Sequence, residues 1–397
     1  MSVGWRPGKG FGCVVVRVLN LEDLKQIGRR VGLDDVAVTG IEPILEARKA
    51  IEERKALGLH AGMTFTFGNP GRATNPSLLL EGARSVVVAL RRYAPPSSQL
   101  SDVLNKDQIS PKGTVAAYVR SEEYGFLRKG LEALAEHLNL LGARTEIVMD
   151  DNRLADRAVA ARAGLGWLGR NTMLLHPKLG SWTVIGSIVT DMPIRSESDR
   201  VDDGCGSCRR CSEDCPTGAL DEFGVLDANK CLAWLLQAKG IFPREYRVAL
   251  GDRLYGCDDC QLLCPINDNA PNVPQASAVR ESHVDIVTLL DSSDEELMEK
   301  FGHWYIPRRQ PSYLRRNALV VLGNSGNYDD PEIDRVLREC LNSDEALVRS
   351  HAVWAAFRLN KKYLVTEQQP ASLLRDDPEG IVDAELQECG ISMDSGV

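Results

Sequence analysis

Short amphipathic stretches alternate with apolar, β-branched runs over the first half of the chain, which indicates alternating helices and strands. The predicted helices are Leu21–Ile27, Ile44–Leu57, Tyr124–Leu141 and Arg153–Ala163. The predicted strands are Asp35–Gly40, Ala83–Leu90, Thr145–Met149 and Trp182–Val189. This pattern predicts an α/β domain over about residues 1–200.

The pattern is purely helical further along the chain. Four short amphipathic helices separated by Gly, Asn and Asp turns are typical of stacked helical hairpins. They are predicted at Asp294–Phe301, Tyr313–Leu322, Pro331–Leu341 and Ala346–Leu359. We expect a helical domain over residues 286–365, and a fold of the α+β or α/β class overall.

Charge is distributed unevenly along the chain. The formal net charge of −9 argues against a uniformly basic surface for nucleic acid, although a local basic patch stays compatible with it. The segment from Lys361 to Val397 holds 3 basic and 8 acidic residues. Residues 366–397 are therefore expected to form an acidic, flexible tail.

No apolar run in the sequence is long enough to span a membrane. The run at residues 12–16 is ended by Arg17, so it is too short for the core of a signal peptide. We expect a cytoplasmic protein without a membrane partner and, by default, a monomer.

Cysteine supplies the most specific signal, since eight of the eleven cysteines lie within residues 205–264. In the cytoplasm such a cluster indicates metal binding rather than disulfides. The first motif has the ferredoxin spacing C-x2-C-x2-C-x3-C-P and comprises Cys205, Cys208, Cys211 and Cys215. The second motif, C-x2-C-x3-C-P, comprises Cys257, Cys260 and Cys264. It lacks one cysteine, and Cys231 lies between the motifs as a replacement.

Two 4Fe-4S clusters would use all eight of these thiols. In two-cluster ferredoxins the fourth cysteine of a motif ligates the other cluster. One cluster would then be held by Cys205, Cys208, Cys211 and Cys264. The other would be held by Cys215, Cys231, Cys257 and Cys260. Two zinc sites are the alternative, but zinc ribbons do not use a triple cysteine run followed by Cys-Pro.

A glycine motif, Gly164-x-Gly166-x-x-Gly169, matches the dinucleotide fingerprint, with Asp191 at the required distance. That fingerprint must follow a strand and open a helix, whereas here a predicted helix precedes the glycines and a strand follows them. A Rossmann site is therefore disfavoured. The glycines still permit a tight turn or a close backbone approach.

Several motifs together resemble the epoxyqueuosine reductase family over about residues 21–359. They are the segment Arg157–Thr172, Gly180-Ser181-Trp182, the doubled cysteine motif, Thr74-Asn75-Pro76 and Arg316-Asn317-Ala318-Leu319. The resemblance implies a cobalamin-dependent enzyme with two 4Fe-4S clusters and C-terminal HEAT-like repeats. Such an enzyme reduces epoxyqueuosine to queuosine at the tRNA wobble position.

The resemblance also implies roles for two neighbouring aspartates. The proton donor of the family falls on Asp150, and Asp151 is expected to cap the helix that follows. From the residues alone, either aspartate could be only a cap. A donor that works at neutral pH needs a raised pKa and therefore a pocket poor in water. Electrons would come from an external low-potential donor through the clusters.

A base-off cobalamin would bind to the N-terminal domain. No histidine lies in a D-x-H-x-x-G arrangement, so no such lower ligand is offered by the sequence. The expected cofactor contacts are Gly164, Gly166, Trp167, Gly169, Ser181 and Trp182. The two tryptophans could equally belong to an ordinary core.

The tRNA anticodon stem-loop would contact the helical domain. A stretch without acidic residues carries Arg308, Arg309, Arg315 and Arg316. Aromatic residues are interleaved with these arginines, namely Trp304, Tyr305 and Tyr313. This combination suits phosphate contacts and base stacking. A solvated arginine face is the alternative.

The chain departs from the family pattern near the expected substrate pocket, at Ala73, Asn152, Arg153 and Arg170. Two other functions therefore stay open. One is a cobalamin- and iron-sulfur-dependent reductase of a small molecule, as in reductive dehalogenases, and the other is an iron-sulfur electron-transfer protein. Cobalamin binding separates the enzymes from the electron carrier, and tRNA binding separates the two enzymes.

Overall fold

The computed structural model describes residues 20–95, 110–195, 199–271, 282–325 and 329–391. The apolar run at residues 12–16 lies outside the described residues. The helices are α1 (Leu21–Arg30), α2 (Leu45–Ala56), α3 (Pro70–Ala73), α4 (Glu123–Leu140), α5 (Asp156–Arg162), α6 (Arg210–Glu213), α7 (Leu232–Leu235), α8 (Arg244–Leu250), α9 (Asp259–Leu262), α10 (Ile286–Asp291), α11 (Asp294–Phe301), α12 (Ser312–Ser325), α13 (Pro331–Leu341), α14 (Ala346–Arg358), α15 (Lys362–Thr366), α16 (Pro370–Leu373) and α17 (Ile381–Glu388). The strands are β1 (Asp35–Thr39), β2 (Ser85–Arg92), β3 (Lys112–Val115), β4 (Thr145–Met149), β5 (Trp167–Leu168), β6 (Leu174–Leu175), β7 (Thr183–Thr190), β8 (Arg253–Tyr255) and β9 (His283–Asp285).

Four strands form the main sheet in the order β1-β2-β7-β4, and every pairing in it is antiparallel. Residues 86–90 of strand β2 are all apolar, and both faces of the strand are covered there. Val87 and Ala89 pack into the core on the side of α1 and α4, whereas Val86 and Val88 pack into the core on the side of α5. The alternating helices and strands of the sequence thus form a helix-sheet-helix arrangement around an antiparallel sheet.

The helix predicted from Arg153 begins only at Asp156. Its N-cap is Ala155, which makes no side-chain capping bond. Asp151 instead accepts the backbone N–H of Arg153 at 2.8 Å, so it shapes a turn before the helix. The expectation that Asp151 caps this helix is therefore wrong, because that turn separates the two.

The ferredoxin-like two-cluster domain expected over residues 201–285 is called the cysteine module below. This module and the C-terminal helices share one hydrophobic core. Leu254 of β8, Val284 of β9 and Ala318 of α12 all belong to it. Val115 also belongs to it, because β3 pairs with β8 in parallel and with β9 in antiparallel orientation. The expected boundary between residues 285 and 286 therefore does not separate two cores.

The four helices predicted for the C-terminal part are present as α11 to α14, each within a few residues of its predicted bounds. Helix α14 is central, since it contacts α12, α13 and α17. Its buried positions surround its axis and include the polar residues Arg349 and His351 as well as apolar ones.

The expectation of a flexible tail is wrong for the residues up to 391. Helices α16 and α17 pack onto the core through Leu373, Val382 and Leu386, which are almost fully buried. The acidic composition that suggested a tail comes from exposed residues of α17 such as Asp383 and Glu388. Among the described residues, no helix is both long enough and apolar enough to cross a membrane.

Candidate functional site

The eight clustered cysteines form two groups of four. The first group lines a cavity of about 320 Å³ and comprises Cys205, Cys208, Cys211 and Cys264. The second group lines another cavity of about 320 Å³ and comprises Cys215, Cys231, Cys257 and Cys260. These are the two groups of cysteines expected if the last cysteine of each motif ligates the cluster of the other motif.

Local structure explains how Cys264 leaves its own motif. The two single-turn helices α6 and α9 pack against each other and bring the two motifs into contact. Cys264 follows α9 and is the N-cap of the 3-10 turn at Pro265–Asn267, so the proline directs the chain away from α9. The Cys264 thiol thereby reaches the thiols of the first motif.

Hydrogen-bond donors face the sulfur atoms. The indole Nε1 of Trp167 donates to Cys205 Sγ at 3.4 Å, and the backbone amide of Ala219 donates to Cys215 Sγ at 3.3 Å. Such bonds stabilise charge on ligating sulfur and raise the reduction potential of a cluster. Burial raises the pKa of the Cys257 thiol to about 12, so this sulfur needs a bound cation to ionise near neutral pH.

The spacing of the thiols bears on the zinc alternative. In the part of the chain that the structure describes, no group of three or more Cys, His, Asp or Glu side chains is arranged to hold a single metal ion. Each set of four thiols instead lines a cavity, and four thiolates around one space are the ligand set of a 4Fe-4S cluster.

A larger cavity of about 480 Å³ adjoins the second group of thiols. The two cavities share Arg157 and Thr172, so they form one cleft between the main sheet and the cysteine module. Apolar side chains that line the larger cavity are Met63, Phe65, Phe67, Leu154, Leu168 and Phe223. Among the described residues that line this cleft there is no histidine.

Asp150 directly follows β4 and has a φ of 49°, a conformation that non-glycine residues seldom adopt. The residue is exposed at the surface, yet partial burial of its carboxyl raises the pKa of that group, and the charge of Asp151 raises it further. The Asp150 carboxylate acts electrostatically on Tyr124 and Tyr255. It is therefore close to the second thiol group, because Tyr124 lines the cavity of that group.

Two of the departures from the family pattern brace the loop that carries Asp150. Arg153 makes ion pairs with Glu146 at 2.8 Å and with Asp151 at 2.7 Å. The carbonyl of Ala73 accepts the backbone N–H of Ala155 at 2.7 Å. These contacts tie both ends of the loop to the domain.

The other two departures lie at the surface and at the cleft. Asn152 is exposed. Arg170 lines the larger cavity and donates to the carbonyls of Glu222 and Gly206 in the cysteine module. Arg170 therefore joins the cleft to the module.

The residues expected to contact cobalamin are divided by the structure. Gly169 lines the larger cavity, whereas Trp167 lines the cavity of the first thiol group. Gly164 has a φ of 80° at the end of α5, and a Cβ at Gly166 would lie 2.2 Å from the carbonyl oxygen of Leu175. These two glycines therefore form a helix end and a close backbone contact.

Ser181 and Trp182 do not line the cleft, which corrects the expected cofactor contacts. The Ser181 amide and hydroxyl bond to Asn267, and the Trp182 ring packs edge-on against Tyr93 within the core. Both residues are buried because the start of β7 lies inside the domain. Tyr93 does line the cavity of the second thiol group, so Trp182 supports a lining residue.

The four arginines expected to contact tRNA lie in different environments. Arg308 and Arg309 are exposed, whereas Arg315 is mostly covered and pairs with Asp294. Arg316 is fully buried and donates to carbonyls of residues 235, 236, 238 and 240. Its assignment to tRNA contact is therefore wrong, since all of its donors face protein atoms.

The aromatic residues of this segment are also divided. Trp304 and Tyr313 are buried, and Trp304 stacks on Tyr255 with 4.4 Å between ring centroids. Tyr305 is 58% exposed. Of the three, Tyr305 alone presents its ring for base stacking.

Sequence reasoning missed several residues of the cleft. Asp156 and Arg157 both line the larger cavity. Their position at the start of the helix that directly follows the Asp150 loop could have identified them as residues near the site. Phe223 and Tyr124 could not be found in this way, because they reach the cleft from distant segments.

Comparison with known proteins agrees with this site. Residues 204–267 match the model of a 4Fe-4S double cluster binding domain. An epoxyqueuosine reductase from Staphylococcus aureus is 33% identical, over 84% of this chain and 87% of its own length. The epoxyqueuosine reductase from Bacillus subtilis is 29% identical, over 92% of this chain and 94% of its own length. A solved epoxyqueuosine reductase with an epoxyqueuosine-modified tRNA-Tyr stem loop is 28% identical, with a TM-score of 0.81 over 93% of this chain and 97% of that one. The mixed α/β fold, the double-cluster domain and the extent of these matches lead to one assignment: the chain is an oxidoreductase of the epoxyqueuosine reductase family.

Proposed function

We propose that this chain reduces epoxyqueuosine to queuosine in tRNA, with two 4Fe-4S clusters, cobalamin and Asp150 as the proton donor. The observation that carries the proposal is the cleft in which the second thiol group meets the surroundings of Asp150. A site of this kind can deliver electrons and a proton to the same substrate.

The eight cysteines provide the electron path of the proposal. The second thiol group lines the cleft, whereas the first group lines a neighbouring cavity that shares Arg170 and Asn171 with the lining of the cleft. The two groups approach each other where the charge of Cys211 acts on the thiol of Cys260. An external low-potential donor would therefore reduce the cluster held by the first group, and electrons would pass through the second group to the cleft.

The residues of the cleft fit a large cofactor that has an apolar ring face and polar groups at its edge. Met63, Phe65 and Leu168 offer apolar surface, and Arg54 and Arg157 offer hydrogen-bond donors for amide or phosphate oxygens. The described lining holds no histidine, which agrees with a base-off cobalamin. Bound cobalamin would supply low-potential electrons for opening the epoxide.

Asp150 would supply a proton to the oxygen that leaves the epoxide carbon. Its raised pKa keeps a larger share of the carboxyl protonated near neutral pH than an ordinary aspartate would have. The Arg153 ion pairs brace the loop that carries Asp150, and the positive φ of Asp150 sets the direction in which its side chain leaves the backbone. General acid catalysis requires such a positioned donor.

The anticodon stem-loop would contact the exposed segment with Tyr305, Arg308 and Arg309. Both arginines have positive φ values, 50° and 55°, and they are adjacent. Adjacent residues in this conformation cost free energy of order 1 kcal/mol each, and such strain is commonly kept at binding sites. The two guanidinium groups suit phosphate, and the exposed ring of Tyr305 suits an unstacked base.

Anaerobic turnover tests the proposal directly. Reconstituted protein is supplied with a low-potential reductant and epoxyqueuosine-containing tRNA, with and without cobalamin, and the nucleosides are analysed by mass spectrometry. Queuosine that forms only with cobalamin supports the reaction and the cofactor together. If cobalamin binds and is reduced but the epoxide persists, this substrate is wrong.

A further inference from the structure

Reduction of an epoxide to an alkene and water consumes two electrons and two protons, whereas the Asp150 carboxyl holds one proton. We propose that Asp156 holds the second proton and passes it to Asp150 during turnover. Since Asp156 acts through Asp150, it is a positioning residue rather than one that touches the substrate. This inference rests on the proposed function.

The position of Asp156 supports this role. Asp156 is the first residue of α5, six residues after Asp150, and it lines the larger cavity of the cleft. The backbone amide of Asp150 interacts with the Asp156 carboxyl. The loop and the helix are therefore coupled through this side chain.

One oxygen of this carboxyl has an unusual environment. In the described part of the chain, Oδ1 of Asp156 is buried and has no hydrogen-bond partner. The amide of Asp150 stabilises the charged form through the carboxyl, but a buried, unpartnered oxygen of a carboxylate is costly, whereas a protonated carboxyl needs less compensation. The geometry thus favours the neutral acid, which is the form that stores a proton.

The charged groups around Asp156 act in both directions. Burial raises the pKa of Asp156 most strongly, and the carboxylates of Asp150 and Asp151 raise it further, while the Arg157 guanidinium lowers it. From α4, Tyr124 faces the two carboxyls as a neutral phenol, because burial raises its pKa. The net effect extends the protonated state of Asp156 towards higher pH.

The proposed step conserves atoms and charge. Asp150 first gives its proton to the oxygen that leaves the epoxide carbon and becomes a carboxylate. The O–H bond of Asp156 then breaks, a new O–H bond forms on Asp150, and the negative charge moves to Asp156. Asp150 gives this second proton to the departing hydroxyl, which leaves as water. The two electrons come from the external donor through the clusters.

Infrared spectroscopy tests whether Asp156 holds a proton, without substrate and without cobalamin. The full chain with its clusters is compared at neutral pH with Asp156→Asn, and with Asp383→Asn as a control at an exposed position on α17. We expect a protonated-carboxyl band that Asp156→Asn lacks and that Asp383→Asn retains. An unchanged band in Asp156→Asn would overturn the proposal.

The pH profile of single turnover tests whether the proton is used. In the wild type the two carboxyls titrate as a pair, and the charge of the first to ionise raises the pKa at which the pair loses its last proton. Asp156→Asn leaves a single carboxyl without this partner, so the alkaline limb should move to lower pH by about one unit, which is about a tenfold loss above that limb. Asp156→Glu should restore the limb. A loss that is equal at every pH, and that Asp156→Glu does not repair, would show a structural role and defeat the proposal.

The two tests also separate this inference from the proposed function. If the wild type does not convert epoxyqueuosine, the proposed function fails, and the infrared band still decides whether Asp156 stores a proton. If the wild type is active and the alkaline limb does not move, the relay alone fails.

Discussion

At the scale of single residues, the site depends on a few side chains whose environments differ from their sequence neighbours. Asp150 and Asp151 are adjacent, but Asp151 is engaged by Arg153, whereas the charge of Asp150 acts on Tyr124, which lines the cleft. Arg315 and Arg316 are likewise adjacent, and a helix turns them to a covered surface and to the core. At both places orientation, rather than residue type, decides what each side chain contacts.

Asp150→Asn is expected to lower the single-turnover rate by about 10² to 10⁴, the usual contribution of a general acid. Iron content and cobalamin binding should not change, because Asp150 belongs to neither thiol group. Wild-type activity should fall as pH rises through the raised pKa of Asp150, since the donor is then ionised. Full activity in Asp150→Asn would contradict the assignment.

The exposed arginines should contribute to tRNA affinity through phosphate contacts. Arg308→Ala and Arg309→Ala are each expected to weaken binding and to reduce the slope of log affinity against log salt by about one. Binding of the anticodon stem-loop over a range of salt concentrations measures this slope. Arg335→Ala is the matched control, since Arg335 is already paired with Asp291, Glu332 and Glu339. An unchanged slope in both variants would place the tRNA elsewhere.

At the scale of elements, two buried polar groups join helices that the sequence shows as separate. Arg316 of α12 satisfies carbonyl groups at and after the end of α7, so it connects the helical part to the cysteine module. Glu385 of α17 accepts from Arg244 and Arg247 of α8. These contacts explain why the last helices pack against the module.

Arg316→Ala is expected to lower the free energy of unfolding by about 3 kcal/mol, because several buried carbonyls lose their donor. Chemical denaturation measures the loss. Arg309→Ala is the control, since that side chain is exposed and should leave stability nearly unchanged. A stability of Arg316→Ala equal to that of the wild type would show that water replaces the lost bonds.

Glu385→Gln is expected to destabilise the protein by about 2 kcal/mol, because two arginines lose a buried anion. Glu388→Gln on the same helix is the control, as its ion pair with Arg244 is exposed and 3.8 Å long. Denaturation of both variants decides between a docked helix and a loosely attached one. Equal stability of the two would argue against docking through Glu385.

At the scale of the whole molecule, the cleft exists because the cysteine module packs against the main sheet domain. Arg170 links the two by donating to the carbonyls of Glu222 and Gly206, and Asn171 donates to the carbonyl of Cys260. The second thiol group thereby faces the residues around Asp150 rather than solvent alone. In the proposed reaction, electron delivery and proton delivery would both depend on this one interface.

Cys231→Ala tests the distribution of ligands between the two clusters. Iron content is expected to fall from about eight to about four per chain, because the variant loses a ligand of one cluster only. The spectrum of the cluster held by the first thiol group should persist in electron paramagnetic resonance of the reduced protein. Cys340→Ala is the control, since Cys340 is buried among C-terminal helices. Loss of both clusters in Cys231→Ala would contradict two independent sites.

The sequence by itself determined the local features of this protein. Apolar periodicity predicted the strands of the main sheet and helices α11 to α14 because these patterns reflect burial on one or both faces of an element. Cysteine spacing predicted both thiol groups, since short spacings restrict which sulfurs can meet. The motifs from Arg157 to Thr172 predicted the family.

Only the tertiary structure decided features that depend on distant segments. The antiparallel order of the sheet, the packing of α17 and the cleft lined by Phe223 and Tyr124 all depend on such contacts. The burial of Arg316 and Trp182 is of the same kind, because exposure depends on what packs over a residue. Residue type and spacing determine local conformation and the chemistry of possible ligands. The orientation and burial of a side chain depend instead on which distant segments pack around it.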